Sequence, residues 1–194
     1  KIEANGSSTE LAKVTNPDGK NEDHFGISTA VSNNIVAVGT PYADVELNGK
    51  NHGDLGTVLL FKVEANGNVS KTDTLTPPNY SGNGNHFGNA IAISNGILAI
   101  GHPNYHERSP NWYDIGIVYI YKISPQGKAV FTAAIKSPFV ENYKYFGRSV
   151  AMDGDRLLIG SDREKGVSGN DNGGAAYLYQ IIEQGKPRLI ERFI

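Results

Sequence analysis

The chain has 194 residues, with 18 Lys or Arg against 20 Asp or Glu and a net charge of -2 with histidines neutral. That balance gives no basic footprint for nucleic acid or an anionic membrane surface, and no apolar run approaches the roughly 18 residues a membrane helix needs. The absence of cysteine removes disulfides, thiolate chemistry and Cys-ligated zinc, while 23 glycines among many Asn and Asp residues point to short strands and tight turns, an all-β chain.

Residues 1–9 read as a flexible lead-in and 10–194 as a single domain. Glu10 to Val14 alternates and runs into Asn16-Pro17-Asp18-Gly19, which predicts an N-terminal strand followed by a turn. A cassette then opens at His24-Phe25-Gly26. Small Ser28 and Ala30 alternate with larger residues, Asn33-Asn34 supplies a hairpin turn, and an apolar run from Ile35 closes in Gly39-Thr40-Pro41. A long polar loop from Tyr42 to Leu55 leads to a third strand, Gly56 to Phe61, and a sparser fourth, Lys71 to Leu75.

The pattern recurs from His86-Phe87-Gly88 through Gly101-His102-Pro103 and Gly116 to Tyr121, and again from Tyr145-Phe146-Gly147 through Gly160-Ser161-Asp162 and Gly174 to Tyr179. The repeats span about 24–76, 86–136 and 145–194, with 62 residues from His24 to His86 and 59 from His86 to Tyr145. Four strands fit such an interval. Small residues on strand one suit convergence on an axis, and an apolar strand two suits burial on both faces. The prediction is a β-propeller-type array of three four-stranded antiparallel blades plus one extra N-terminal strand. Tyr119, Tyr121, Tyr177 and Tyr179 fall at matching places on the third strands and read as packing groups.

The Phe-Gly, the alternating strand, the turn and the apolar strand ending in Gly-x-Pro resemble the FG-GAP repeat, although the third copy lacks the proline. The resemblance implies a binding scaffold rather than an enzyme, in a secreted, cell-surface or periplasmic protein. It also implies that the strand 2–3 and strand 4–1 loops share the recognition face. Calcium loops of the integrin type are not carried over, because the strand 1–2 hairpins are too short to supply six to eight oxygens.

On the predicted recognition face, Tyr42, Asp44, Tyr80, Tyr105, His106, Arg108, Trp112, Tyr113, Asp114 and Tyr143 are the candidate ligand-binding residues. Trp112-Tyr113-Asp114 combines aromatic plates with a carboxylate, a pairing that suits a sugar ring or an anchored peptide. His24, His86 and Tyr145 precede each Phe-Gly and read as caps on the blade junctions. No cofactor is expected; Asp44, Glu46, Asn48 and Asp171 offer calcium-type oxygens, but they equally suit turns. No nucleophile elbow, phosphate loop or carboxylate pair for acid–base work stands out.

The expected function is non-catalytic recognition of a glycan or protein. The alternatives are a polysaccharide-acting hydrolase or lyase on the same loops, or a structural scaffold within a larger surface protein. Three blades do not close a ring. The expected partners therefore include a second chain completing a six-bladed homodimer, or neighbouring blades of a longer chain.

Overall fold

Strand two of each cassette is apolar on both sides, so its sheet gains most when another sheet covers each face. The computed structural model describes residues 5–10, 12–80, 84–107, 113–139, 141, 143–165, 172–182 and 186–194. Three antiparallel four-stranded meanders form. The first is β1 (Ser28–Ser32), β2 (Ile35–Thr40), β5 (Thr57–Val63) and β6 (Val69–Leu75). The second is β7 (Ala90–Ser94), β8 (Ile97–His102), β9 (Ile117–Ile123) and β10 (Ala129–Lys136). The third is β11 (Ser149–Asp153), β12 (Arg156–Ser161), β13 (Ala175–Ile182) and β14 (Lys186–Phe193). In all three, the fourth strand slips register by one residue against the third, a bulge that bends the outer edge.

The pairing outside the blades is not where it was expected. Residues 12–16 form no strand; blade 1 already carries β6 at its outer edge, and Val14 lies instead against the cluster of Val38, Leu59 and Phe61. The extra pairing comes from β3 (Val45–Leu47) and β4 (Lys50–His52), a hairpin inside the first strand 2–3 loop. Asn48 and Gly49 turn it with φ of 54° and 70°, the geometry of a two-residue type I′ loop.

Blades meet through the cassette itself. Phe87 and Phe146 are fully buried, one in the core between blades 1 and 2, the other in the core between blades 2 and 3. The backbone beside each ring docks on the preceding blade: Phe87 N–H donates to Leu55 O at 2.9 Å, and Phe146 N–H to Ile115 O at 3.2 Å. The approach is so close that a Cβ on Gly39 would stand 2.2 Å from Gly88 O, and one on Gly101 2.1 Å from Gly147 O. Gly56 and Gly116 are likewise pressed against the carbonyls of Phe87 and Phe146. The Phe-Gly of one blade is therefore a plug, and the two glycines of the blade before it form the socket.

Tyr119, Tyr121, Tyr177 and Tyr179 are buried, as their matching positions predict. Burial pushes the Tyr179 hydroxyl up to about 12. Tyr177 donates to the buried Glu164 carboxylate, which also pairs with Arg192 at 2.6 Å. The double burial expected of strand two holds for β2 and β8 but not for β12, where Arg156 and Leu158 are exposed, no other blade among the described residues covering them.

Candidate functional site

Three positions of the cassette converge at the loop end of the junctions. The first is the residue before Phe-Gly: His24, His86 and Tyr145 have φ of 55°, 57° and 54°, left-handed backbone at non-glycine residues. The second follows Phe-Gly and is Ile27, Asn89 or Arg148; the third lies three residues past the strand-two glycine and is Tyr42, Asn104 or Arg163. Tyr42, His86, Asn89, Asn104, Tyr145, Arg148 and Arg163, joined by Asp162, line a polar pocket of about 210 Å³.

The side chains form a chain of contacts across the blades. The His24 ring packs edge-on against Tyr42 at 4.7 Å between centroids, and Tyr42 packs against His86 at 4.6 Å. Asn104 Nδ2 donates to Asp114 Oδ1 at 3.0 Å, which leaves Asn104 Oδ1 to accept from His86 Nδ1–H at 3.0 Å. Asp114 Oδ2 accepts from the Tyr145 hydroxyl at 3.2 Å, and Asp114 Oδ1 lies 3.3 Å from His106 Nε2. Asp114 thus gathers Asn104 and His106 of the second blade's loop and Tyr145 of the third around one carboxylate.

Charge surrounds the Tyr145 ring. The Arg163 guanidinium stands 4.7 Å from its centroid, within cation–π range, and Arg148 stands at 6.0 Å. Burial first, then the Asp114 charge and hydrogen bond, holds the Tyr145 hydroxyl above the ordinary phenol range, with the two arginines opposing. Tyr145 therefore remains a donor at neutral pH. Beneath the pocket, His102 is completely buried among the rings of Phe87, Tyr105 and Tyr119, and neither ring nitrogen has a hydrogen-bond partner. Burial, with the nearby His86 and His106 as further causes, lowers it to about 3. It is a neutral core residue.

The residues anticipated from sequence divide into separate places. Tyr42 lines the pocket, while His106, Tyr113, Asp114 and Tyr143 form its flank. There His106 meets Tyr113 edge-on at 5.6 Å, and Tyr113 stacks on Tyr143 at 6.5 Å with 12° between planes. Tyr80 lies apart, against His52 and within 3.4 Å of Asn48 on the β3–β4 hairpin. Asp44 is spent inside that hairpin, accepting from Asp54 N–H at 3.1 Å and Asn51 Nδ2 at 3.3 Å. Tyr105 is not a surface residue; it belongs to the core between blades 1 and 2. Arg108, Trp112 and Asp171 lie outside the described residues. Among the described residues no group of three or more His, Cys, Asp or Glu could hold a metal, and the turn at Asn48-Gly49 accounts for the oxygen-rich run from Asp44.

Sequence reasoning passed over Asn89, Asn104 and Arg148, and gave His86 and Tyr145 a structural role only. The signal was available. Once the three copies are aligned on Phe-Gly, Ile27, Asn89 and Arg148 fall at one place and Tyr42, Asn104 and Arg163 at another, each different in every copy at a fixed distance from a glycine that repeats.

Residues 8–55 and 139–179 match the family model of the FG-GAP repeat. No curated protein matches the chain. Among solved structures it is similar to the periplasmic gluconolactonase PpgL of Pseudomonas aeruginosa, at 15% identity and a TM-score of 0.51 over 82% of this chain and 36% of that one. It is also similar to a protein from Lactobacillus plantarum, at 12% identity and a TM-score of 0.49 over 87% of this chain and 55% of the other. A hypothetical selenium-binding protein from Sulfolobus tokodaii aligns at 14% identity and a TM-score of 0.48, covering 81% and 37%. The chain thus spans about a third of the gluconolactonase's length, and at such identity the likeness is one of fold, a multi-bladed all-β scaffold. With two matched segments and Phe-Gly corners that plug glycine sockets between four-stranded blades, the chain is an FG-GAP-type repeat protein.

Proposed function

We propose that the chain is a non-catalytic recognition module of a secreted, cell-surface or periplasmic protein, and that it holds a glycan or a protein segment at the polar pocket on the loop face. One observation carries the reading. Tyr42, Asn104 and Arg163, which share one cassette position, bring three different polar heads to a single hollow, where His86, Asn89, Tyr145 and Arg148 join them. Arg148 and Arg163 beside the Tyr145 ring favour a ligand that presents a carboxylate next to a flat surface, such as a uronate residue or an acidic side chain. Tyr113 and Tyr143, 47% and 53% exposed, extend an aromatic platform from the pocket's flank.

The test is a glycan array containing acidic sugars, run beside an acidic-peptide library, with the wild-type chain and Arg163→Ala. Arg163→Ala is expected to lower affinity by about tenfold or more, the worth of one charge-assisted contact. No ligand in either set, or a ligand bound equally by the variant, would rule out the pocket as the site.

A hydrolase or lyase acting on polysaccharide is the second reading, favoured by the His106–Asp114 pair, in which a carboxylate orients an imidazole. Turnover of an acidic polysaccharide that is lost in His106→Gln would establish it.

A further inference from the structure

The same backbone crossing makes both blade junctions, but the side chains set on it differ. Between blades 1 and 2, Gly84 N–H donates to Gly53 O at 2.9 Å and His86 N–H to Asp54 O at 3.1 Å. Between blades 2 and 3, the matched bonds run from Tyr143 N–H to Tyr113 O at 2.8 Å and from Tyr145 N–H to Asp114 O at 2.9 Å. Glycine thus stands at both places where the second crossing carries tyrosine. Tyr143 holds a φ of 60°, the left-handed backbone that Gly84 adopts at 69° with no Cβ to hinder it. The crossing itself therefore calls for neither ring.

The two rings form a flat surface beside the polar pocket. They lie 12° from parallel, and both are about half-exposed. Tyr143 is two residues from Tyr145, a span of at most about 7 Å, and Tyr113 adjoins Asp114. Pocket and platform also share one carboxylate. Asp114 accepts from the Tyr145 hydroxyl and lies 3.3 Å from His106, whose ring meets Tyr113 edge-on. A cationic hollow and an aromatic plate therefore stand side by side, at the kind of spacing that separates one sugar from the next in a chain.

The lining selects among ligands. A pyranose presents a face of C–H groups and a rim of hydroxyls, and a pair of exposed tyrosines complements that face at little cost in side-chain entropy. A peptide would need a free strand edge to pair with or an apolar hole for an anchoring side chain. None of the described residues lining the pocket is aliphatic, and Tyr113 and Tyr143 both lie outside the strands. We infer that the site takes an acidic oligosaccharide of at least two linked units, with a uronate carboxylate against Arg148 and Arg163 and the face of the neighbouring sugar on Tyr143 and Tyr113. The inference rests on the acidic ligand proposed for the pocket and adds a second subsite to it.

Calorimetric titration with galacturonate, glucuronate and mannuronate, each as monomer, dimer and tetramer, tests it, with carboxyl-reduced dimers and an acidic peptide as comparisons. In at least one series the dimer is expected to bind roughly tenfold tighter than its monomer, and carboxyl reduction should abolish binding. Tyr143→Gly and Tyr113→Gly, which install the residues of the first crossing, should each remove the dimer's advantage while circular dichroism shows the blades intact. Arg163→Ala should weaken monomer and dimer alike. A monomer that binds as well as the dimer, or an advantage that survives both tyrosine variants, overturns the second subsite and leaves the pocket reading standing. A peptide that binds where no uronide does overturns the glycan assignment alone. If every acidic probe fails, the inference falls together with the pocket reading.

Discussion

The blade junctions and the polar pocket are assembled from adjacent residues of one cassette, yet they use repetition in opposite ways. At the junctions identity repeats: Phe87 and Phe146 plug glycine sockets of the same composition, with the same backbone hydrogen bonds. In the pocket only the place repeats, and Tyr42, Asn104 and Arg163 bring three different chemistries to one position. Junction geometry leaves no room for variation because backbone meets backbone; the pocket opens to solvent and constrains only where a side chain begins. Substitutions on the two sides of this line should therefore fail in different ways.

The largest effect is expected at the socket. Gly101→Ala puts a methyl group 2.1 Å from a backbone carbonyl that cannot move without parting blades 2 and 3, and should cost about 4 kcal/mol or more in urea unfolding. The matched change Gly160→Ala meets only the rotatable Ser149 hydroxyl and should cost under about 1 kcal/mol. Equal losses at the two glycines would refute the plug-and-socket account. Next comes Phe146→Ala, which empties a fully buried ring site and should cost about 3–5 kcal/mol by the same assay. Phe25→Ala should cost less, since that ring is only partly buried and packs edge-on against Phe61 of its own blade.

His102 sharpens the comparison through pH. Its folded value of about 3 lies below the ordinary 6.5, so between those limits the unfolded chain binds the extra proton. Stability that is complete above pH 6.5 should fall as pH drops toward 3, with a slope of up to about 1.4 kcal/mol per pH unit from this group. His102→Thr, which installs the residue blade 1 carries at that place, should flatten the slope in this window. An unchanged slope would mean that other groups govern the acid limb.

The smallest stability effect is expected inside the pocket. Asp114→Asn keeps the side-chain shape but removes the charge that helps hold Tyr145 protonated. The Tyr145 titration, followed by ultraviolet difference absorbance, should move downward while the unfolding midpoint changes little. A large loss of stability would make Asp114 a junction residue.

How much of this was legible depended on which kind of repetition a residue obeyed. Blade number, strand order and buried tyrosines could be read because Phe-Gly, Gly-x-Pro and the Gly-aromatic strand repeat as letters. Asn104 and Arg148 could not, because they share no letter with their counterparts and come together only when blades stack. Tyr105 misled for the same reason: the loop after Pro103 is polar in composition, but its second residue turns inward, where blade 1 has Ala43. The N-terminal strand misled because alternation shows that a segment can pair without showing whether an edge is available. Residues 12–14 found blade 1's outer edge already filled by β6 and offered Val14 to its face instead.

The left-handed backbone before each Phe-Gly has a consequence for how such a surface changes over time. An ordinary side chain in that conformation carries a cost on the order of 1 kcal/mol that glycine avoids. His86 and Tyr145 must offset that cost through what their rings touch: Asn104 and Tyr42 for the one, Asp114 and Arg163 for the other. A change that strips those contacts away leaves only the backbone cost, and glycine then becomes the better residue at that corner.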